Sequence, residues 1–555
     1  MPIALPLTSP ERAAQYRASG QWADVTIAER VLAAAARYPE KEAIRCGGVR
    51  LRYADFADNI RCLAKGLTTL GLPPGGIVAG QLPNGPEIPL LHIACNLAGL
   101  LFIPLHDSWR SGELRHLLSN AGVTVLVTPH IYRDFNHYEM IAELRAELPG
   151  LRHYFTLGGA AGPGARDFGE LMRLGPLDAT KIAALRPDPD LPAAAMLSGG
   201  TTSISKISRF SSNNLLAMLD VEAAAAEFSA ADVVAAIAPT GTGATGYIYG
   251  VLTPLLYGAT SVILPRWGDP AEAIALIVRE HCTYGVAIPT QLTKLVSVLE
   301  TRQLVEFHDF RCFANAGAPL PYETAVKIED LMGCVIQSIY GATDGGTPTM
   351  TTIHDQREKR LATVGRVVRG CECLLLDEKG NPVPQGEAGE IVWRGADKSW
   401  GYLGDETQTA AAFNADHFYK SGDRGRFDGD GYLQVVGRIK DMILRGGRNV
   451  SPLAIEERLI RHPAVVDVAV VPMPDLVLGE RACAFVVLKP GAVLDLAAAV
   501  EFLKGEDLAV WQLPERLEVI DEIPNSTGGK ALKRALTAII TEKLKVEAAQ
   551  RDVGQ

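Results

Sequence analysis

Four stretches of the chain carry residue types whose spacing can do chemistry. The first, Leu197-Ser198-Gly199-Gly200-Thr201-Thr202-Ser203-Ile204-Ser205-Lys206, follows the apolar run Pro192 to Met196. Small residues let backbone N–H groups approach an anion, hydroxyls add donors, and a lysine neutralises phosphate charge. It is not a Walker A loop, and read alone it is equally a polar surface loop. The second, Gln337-Ser338-Ile339-Tyr340-Gly341-Ala342-Thr343-Asp344-Gly345-Gly346, takes an apolar strand into a glycine, a hydroxyl and a carboxylate. That order suits a ligand at the carboxyl end of a strand, with Asp344 as an oxygen ligand for Mg²⁺. Its plain alternative is a Gly-rich turn with a helix cap. The third is Tyr419-Lys420-Ser421-Gly422-Asp423, followed by Gly437-Arg438-Ile439-Lys440-Asp441. The fourth, Pro524-Asn525-Ser526-Thr527-Gly528-Gly529-Lys530, puts a lysine after a flexible loop, able to reach a site built by another domain. Most lysines are simply solvated, so this one gains weight only from its company.

The elements that must position these residues follow from periodicity. Ile27 to Arg37 and Phe56 to Leu70 read as amphipathic helices, Gly76 to Gln81 as a strand, then a helix from Glu87 and a strand at Val123 to Val127. The rhythm resumes with strands at Val233 to Ala238, Ser261 to Leu264 and Tyr284 to Ala287. Alternating βα units predict a parallel sheet covered by helices on both faces. After about Ala362 short strands take over, at Cys371 to Leu376, Glu390 to Trp393 and Tyr432 to Val436, with a turn at Lys379-Gly380-Asn381-Pro382. Beyond Lys440 a compact unit is expected, with helices at Pro452 to Arg461 and Leu494 to Leu503. Its strands are placed at Val465 to Met473, Ala482 to Leu488 and Arg516 to Ile520. The fold class is therefore α/β. A large N-terminal domain (1–439) of layered sheets and helices with a β-rich subdomain precedes a small mobile C-terminal α+β domain (440–555), hinged at Lys440.

Composition narrows the function classes. The chain has 555 residues, 47% hydrophobic and 21% charged, with Gly 54 and Pro 34, which is globular and not low-complexity. A net charge of −10 argues against a general nucleic-acid binder. Nine dispersed cysteines with a single C-x-C pair, Cys371 and Cys373, suit buried thiols in a reducing cytoplasm rather than a zinc site. No apolar leader is evident near Glu11 and Arg12, and the most apolar run, Leu90 to Leu105, is broken by His92, Asn96 and Pro104, too short to span a bilayer. These features predict a cytoplasmic enzyme with no membrane span.

In this order and spacing the four stretches resemble the adenylate-forming (ANL) superfamily of acyl- and aryl-CoA synthetases, adenylation domains and luciferases, over nearly the whole chain. Supporting marks are Asp377, Gly386-Glu387-Ala388-Gly389-Glu390, Gly401-Tyr402, Arg445-Gly446-Gly447 and Gly479-Glu480-Arg481. Through Tyr16-Arg17 to Trp22, Pro104 to Trp109-Arg110, and Ala244-Thr245-Gly246-Tyr247 to Pro254-Leu255, the chain looks closest to bacterial medium-chain acyl-CoA and cyclohexanecarboxylate-CoA ligases, then to aryl-acid AMP ligases. The resemblance implies ATP, Mg²⁺ and coenzyme A as cofactors and a carboxylic acid as substrate, and is compatible with a homodimer. By the same resemblance Ser198, Gly199, Gly200, Thr201, Thr202 and Lys206 hold the β- and γ-phosphates. Thr343 contacts the α-phosphate, Asp344 binds Mg²⁺, and Tyr340 with Ala316, Gly317 and Ala318 lines the adenine pocket. Asp423 takes the ribose hydroxyls with Arg438 beside it, Lys530 bridges substrate carboxylate and α-phosphate, and Gly446 and Gly447 border the thiol's path.

Three departures stand out. Ser203 replaces a usual glycine, Asp344 a usual glutamate and Ala316 a usual glycine. In the segment Pro239 to Gly246, aryl-acid AMP ligases carry an asparagine that reads an ortho-hydroxyl, which Gly243 cannot do, so the resemblance disfavours salicylate- or catechol-type acids, while small residues such as Gly241 suggest a roomy, apolar pocket. With Tyr247 as a wall, the expected substrate is bulky and largely apolar: cyclic, arylalkanoic or medium-chain. The leading expectation is an ATP-dependent acid–CoA ligase. An AMP ligase loading a carrier-protein phosphopantetheine and a weakly active acyl- and nucleotide-binding homologue are the alternatives.

Overall fold

A computed structural model describes residues 8–197, 206–241, 245–301, 306–506, 508–525 and 531–553. Among the described residues the N-terminal region holds two large sheets. One, of nine strands, runs Arg366–Val367, Gly346–Met350, Val335–Ala342, Cys312–Ala316, Tyr284–Ala287, Val233–Ala236, Thr260–Ile263, Glu42–Cys46, Val49–Arg52. Its centre is parallel and its edges antiparallel. The other, of seven strands, runs Ile207–Ser211, Pro192–Leu197, Leu101–Leu105, Ile77–Gln81, Val125–Pro129, His153–Leu157, Arg166–Asp167. Helices Ile27–Arg37, Tyr53–Thr68, Glu87–Leu97 and Ser212–Ala225 bury their apolar faces in one core that includes side chains of both sheets. Helix Ile27–Arg37 starts as its sequence dictates. Thr26 accepts from the Glu29 N–H and Glu29 accepts from the Thr26 N–H, a capping box just ahead of buried Val31, Ala34 and Ala35.

The expected β-rich subdomain is a four-stranded antiparallel sheet, Cys371–Leu376, Gly389–Gly395, Tyr419–Phe427 and Leu433–Arg438. A short turn, Ile439–Asp441, leads from it to the C-terminal domain. There a five-stranded sheet carries helices Pro452–Leu459, Leu496–Gly505 and Lys533–Val553. The fold is thus α/β, with a large N-terminal domain and a smaller C-terminal one.

Two differences from the sequence reading have physical causes. Strand Glu42–Cys46 pairs in parallel with Thr260–Ile263, so the first fifty residues complete a sheet built mostly from the second half of the N-terminal domain. Long-range parallel pairing leaves no mark on local periodicity. The helix read as Phe56 to Leu70 is Tyr53–Thr68, starting one turn early because the buried Tyr53 hydroxyl donates to the Ala259 carbonyl at 2.7 Å.

Candidate functional site

Strands Cys312–Ala316 and Val335–Ala342 lie side by side in parallel, with Ala316 opposite Ile339. Their carboxyl ends therefore deliver the turn Ala316-Gly317-Ala318 and the segment Tyr340 to Asp344 to one place, where open α/β sheets bind ligands. Gly317 has φ +96°, a backbone that a side chain strains, although a Cβ there would find space. Asn315, on the same strand, is buried with its side-chain oxygen unpartnered.

The four-stranded sheet packs its own carboxylate against this edge. Asp423 and Arg438 are register partners on adjacent antiparallel strands. Arg438 Nε donates to Asp423 Oδ1 at 2.9 Å, and the Tyr340 hydroxyl donates to Oδ2 at 2.9 Å. Burial and the neighbouring Asp423 push the Tyr340 hydroxyl well above its ordinary range, so it stays a donor. The expected adenine-side tyrosine and the expected ribose-side pair thus form one hydrogen-bonded unit.

Asp344 is held by different chemistry. The Tyr419 hydroxyl donates to its Oδ1 at 2.7 Å and the Tyr402 hydroxyl to its Oδ2. Ser399 Oγ donates to the Asp344 carbonyl at 2.5 Å, Trp393 Nε1 to the Gly345 carbonyl at 2.7 Å, and the Thr347 N–H to Asp397 Oδ2 at 2.6 Å. Rings of Tyr340, Trp393 and Tyr419 follow one another at 5.9 and 4.8 Å between centroids. Lys206 Nζ lies 4.5 Å from the centre of the Tyr402 ring, within cation–π range. Backbone pairing explains that approach: Ser208 bridges Tyr402, and the Leu403 N–H donates to the Ile207 carbonyl at 2.8 Å. Thr343 is half-buried beside Asp344. Neutral phenols orient Asp344 and leave each of its oxygens a spare lone pair, and a carboxylate next to a threonine hydroxyl is a donor set that fits Mg²⁺.

Other expected residues lie elsewhere or outside the described part. Ser198, Gly199, Gly200, Thr201 and Thr202 connect Pro192–Leu197 to its antiparallel partner Ile207–Ser211 and fall outside the described residues, as do Gly243 and Lys530. On either side of Lys530's segment, Asn525 bridges Ala531 and the Leu532 N–H donates to the Pro524 carbonyl at 2.7 Å. Gly446 and Gly447 form the two-residue turn of the hairpin Ile443–Arg445/Arg448–Val450, with φ +56° and +80°, the left-handed pair such a turn requires. Lys440 lies in the turn between the two domains' sheets. Gly241 faces the loop after Leu101–Leu105, where a Cβ would lie 3.3 Å from the His106 Cα.

Tyr247 is buried, and its hydroxyl shares a 2.6 Å hydrogen bond with His92 Nδ1. Burial lowers the His92 imidazole to about 4, so it is neutral. Beside the pair is a void of about 10 Å³, no more than one water's room, also lined by Phe102, Met196, Leu215 and Ile248. Sequence reasoning quoted Tyr402 and Tyr419 only as motif markers, and it missed Trp393, Ser399 and His92. From Gly395 to Tyr402 every residue is buried, the polar Asp397, Lys398 and Ser399 among them, which only the structure reveals.

Residues 31–403 match the family of AMP-binding enzymes, and residues 454–530 match the AMP-binding enzyme C-terminal domain. The chain is 31% identical over 536 residues to the medium-chain fatty-acid–CoA ligase of Escherichia coli (strain K12), covering 96% of this chain and 94% of that protein. It is 30% identical over 535 residues to the 2,3-dihydroxybenzoate-AMP ligase of Bacillus subtilis (strain 168), covering 96% and 97%. Among solved structures, ATP-bound MatB from Rhodopseudomonas palustris superposes with a TM-score of 0.82 at 26% identity, over 93% of this chain and 99% of that one.

Proposed function

The chain belongs to the AMP-binding enzyme family, and we propose that within it this protein is an ATP-dependent carboxylic acid–CoA ligase acting on a largely apolar acid. As an acid-adenylating enzyme it uses ATP and Mg²⁺. In the first half-reaction the acid's carboxylate oxygen attacks the α-phosphorus of ATP and the bond to pyrophosphate breaks. In the second, the CoA sulfur attacks the acyl carbon and AMP leaves with the electron pair of the cleaved C–O bond.

Both partners of the first step are anions, so the chain's contribution is alignment and charge neutralisation. The Ser198 to Thr202 backbone and Lys206 would hold the β- and γ-phosphates. Tyr340 and the turn Ala316 to Ala318 would flank the adenine. Asp423, oriented by Tyr340 and Arg438, would accept both ribose hydroxyls. Thr343 would donate to the α-phosphate, and Asp344 would hold the metal. Bound there, Mg²⁺ supplies positive charge to the phosphate oxygens. Lys530 would bridge the acid carboxylate and the α-phosphate, then withdraw as the C-terminal domain turns about Lys440 and the Gly446-Gly447 turn approaches the thiol's path.

The observation that carries the reading is the shared wall. The rings of Tyr340, Trp393 and Tyr419 follow one another, with Tyr340 donating to Asp423 and Tyr419, together with Tyr402, donating to Asp344, and this common support favours one nucleotide site for both carboxylates. A screen of carboxylic acids with ATP and CoA, read by AMP release and by mass of the thioester, tests it. AMP and acyl-CoA from an alicyclic, arylalkanoic or medium-chain acid are expected. Acyl transfer to a phosphopantetheinyl carrier protein and none to CoA overturns the choice of acceptor.

A further inference from the structure

We propose that Tyr402 and Tyr419 are positioning residues for the metal ligand, and that this pair is built to hold an aspartate, so that Asp344 is matched to its surroundings rather than a weakened glutamate. The inference rests on the reading above, in which Asp344 binds Mg²⁺. Both carboxylate oxygens already accept one phenol each, which fixes the plane of the carboxylate and leaves every oxygen a further lone pair. Neutral donors orient the group without cancelling its charge, as outer partners of metal ligands do.

The distance from backbone to phenols is fixed on both sides. On the Asp344 side, the next two residues are glycines at positions where a side chain has no room. A Cβ at Gly345 would lie 2.5 Å from Tyr419 Cδ1 and 2.8 Å from Trp393 Cζ2. One at Gly346, which has φ +85°, would lie 2.6 Å from Asp397 Oδ2. The glycines let the turn press onto the subdomain, and Ser399, Trp393 and Asp397 pin it there by hydrogen bonds. On the other side, Tyr402 is tied to strand Ile207–Ser211, its N–H donates to Thr409 Oγ1 at 2.9 Å, and the Tyr419 ring packs against Trp393 at a tilt of 58°. One methylene more at position 344 must fold back or break a phenol contact. Because Lys206 sits over the Tyr402 ring, the lysine assigned to the phosphates and the carboxylate assigned to the metal share one support.

The test is Mn²⁺ binding by the full chain, followed by electron paramagnetic resonance with an ATP analogue carrying a methylene between α and β phosphorus, with no acid present. Tyr402→Phe and Tyr419→Phe keep both rings, and each is expected to weaken Mn²⁺ about tenfold or more while metal-free AMP binds as before. Asp344→Glu is expected to weaken Mn²⁺ as well. Unchanged Mn²⁺ affinity in both phenylalanine variants, or Asp344→Glu binding Mn²⁺ as tightly as the wild type, overturns the proposal. If a phenylalanine variant also loses AMP, its fold has failed and Asp344→Glu decides alone. Absence of any Mn²⁺–nucleotide binding by the wild type overturns instead the reading on which the proposal stands.

Discussion

Asp423 and Asp344 face the same site, each takes a tyrosine hydroxyl, and they are finished differently. The second partner of Asp423 is a guanidinium, whereas the second partner of Asp344 is another phenol. A carboxylate paired with arginine has its charge balanced and is suited to accept from neutral hydroxyls. A carboxylate held by phenols alone is oriented but not balanced, and is suited to a cation. On the proposed reading, the two carboxylates would divide a sugar-reading task from a metal-holding task. On the same reading, neutralising the phosphates would fall to the lysines Lys206 and Lys530.

The largest expected effect tests that last step. Lys530→Ala should lower acid-dependent pyrophosphate release by about a thousandfold, as loss of a charge at the reacting group does. Thioester formation from supplied acyl-adenylate should stay within about threefold. If both half-reactions fall equally, positive charge from Lys530 is not specific to the first. Next come the two carboxylates. Asp344→Asn should weaken metal binding about a hundredfold and leave AMP affinity unchanged. Asp423→Asn should weaken AMP about tenfold and leave metal affinity unchanged, since a neutral amide accepts one ribose hydroxyl less well. Calorimetric titration of each variant with AMP and with Mn²⁺–nucleotide reads both parameters. Variants that shift the same parameter erase the distinction between the two carboxylates.

How much of this was legible in the sequence depends on the range of the interaction. Strand Tyr284–Ala287 and helix Ile27–Arg37 were read to the residue, because capping and apolar periodicity are local. Membership of the family and the pairing of Asp423 with Arg438 came from motif order. The docking of Glu42–Cys46 on a strand more than two hundred residues away was not legible, nor was the phenol pair on Asp344. Tyr402 and Tyr419 were visible as motif letters. That their hydroxyls converge on one carboxylate depends on the bridge between Ser208 and Tyr402, which no short window contains. Tyr247 was read as a wall of a roomy pocket, and its hydrogen bond to His92 beside a void of about 10 Å³ was not legible either.

A smaller effect is expected at that wall. Tyr247→Ala removes a phenol and frees His92 Nδ1 in a buried, nearly closed space. Relative kcat/KM for an acid longer by the depth of a tyrosine ring should rise about tenfold against the best wild-type acid, with KM for ATP unchanged. A preference that stays where it was places the acyl pocket away from Tyr247, and the aromatic row then stands apart from acid selection.

A third carboxylate completes the series. Glu222 also meets a phenol, Tyr284 at 2.7 Å, but it is wholly buried, and burial pushes its carboxyl up to about 7. The same tyrosine hydroxyl lies 2.9 Å from Gln337 Oε1, and a single phenolic proton cannot serve both acceptors. A protonated Glu222 resolves the conflict by donating to Tyr284, which then donates to Gln337. Because the folded group binds its proton more tightly than the unfolded one, whose ordinary value is 4.5, its contribution is complete below about 4.5 and is lost as pH rises through 7. Asp397, raised by burial to about 6, acts in the same direction. Lys398, lowered by burial to about 7, adds stability only as pH rises above that value. The contribution of Glu222 itself should therefore fall by on the order of 2 kcal/mol between pH 5 and 7, while His92 and His137, each lowered by burial to about 4, add stability over the same window. Glu222→Gln keeps an N–H donor for Tyr284 and carries no charge, so its urea midpoint should gain on that of the wild type as pH rises over that window. Parallel curves for the two proteins would mean that Glu222 is ionised throughout, with Arg311 holding its charge; a phenol would then be no guide to whether a carboxylate in this fold stays charged.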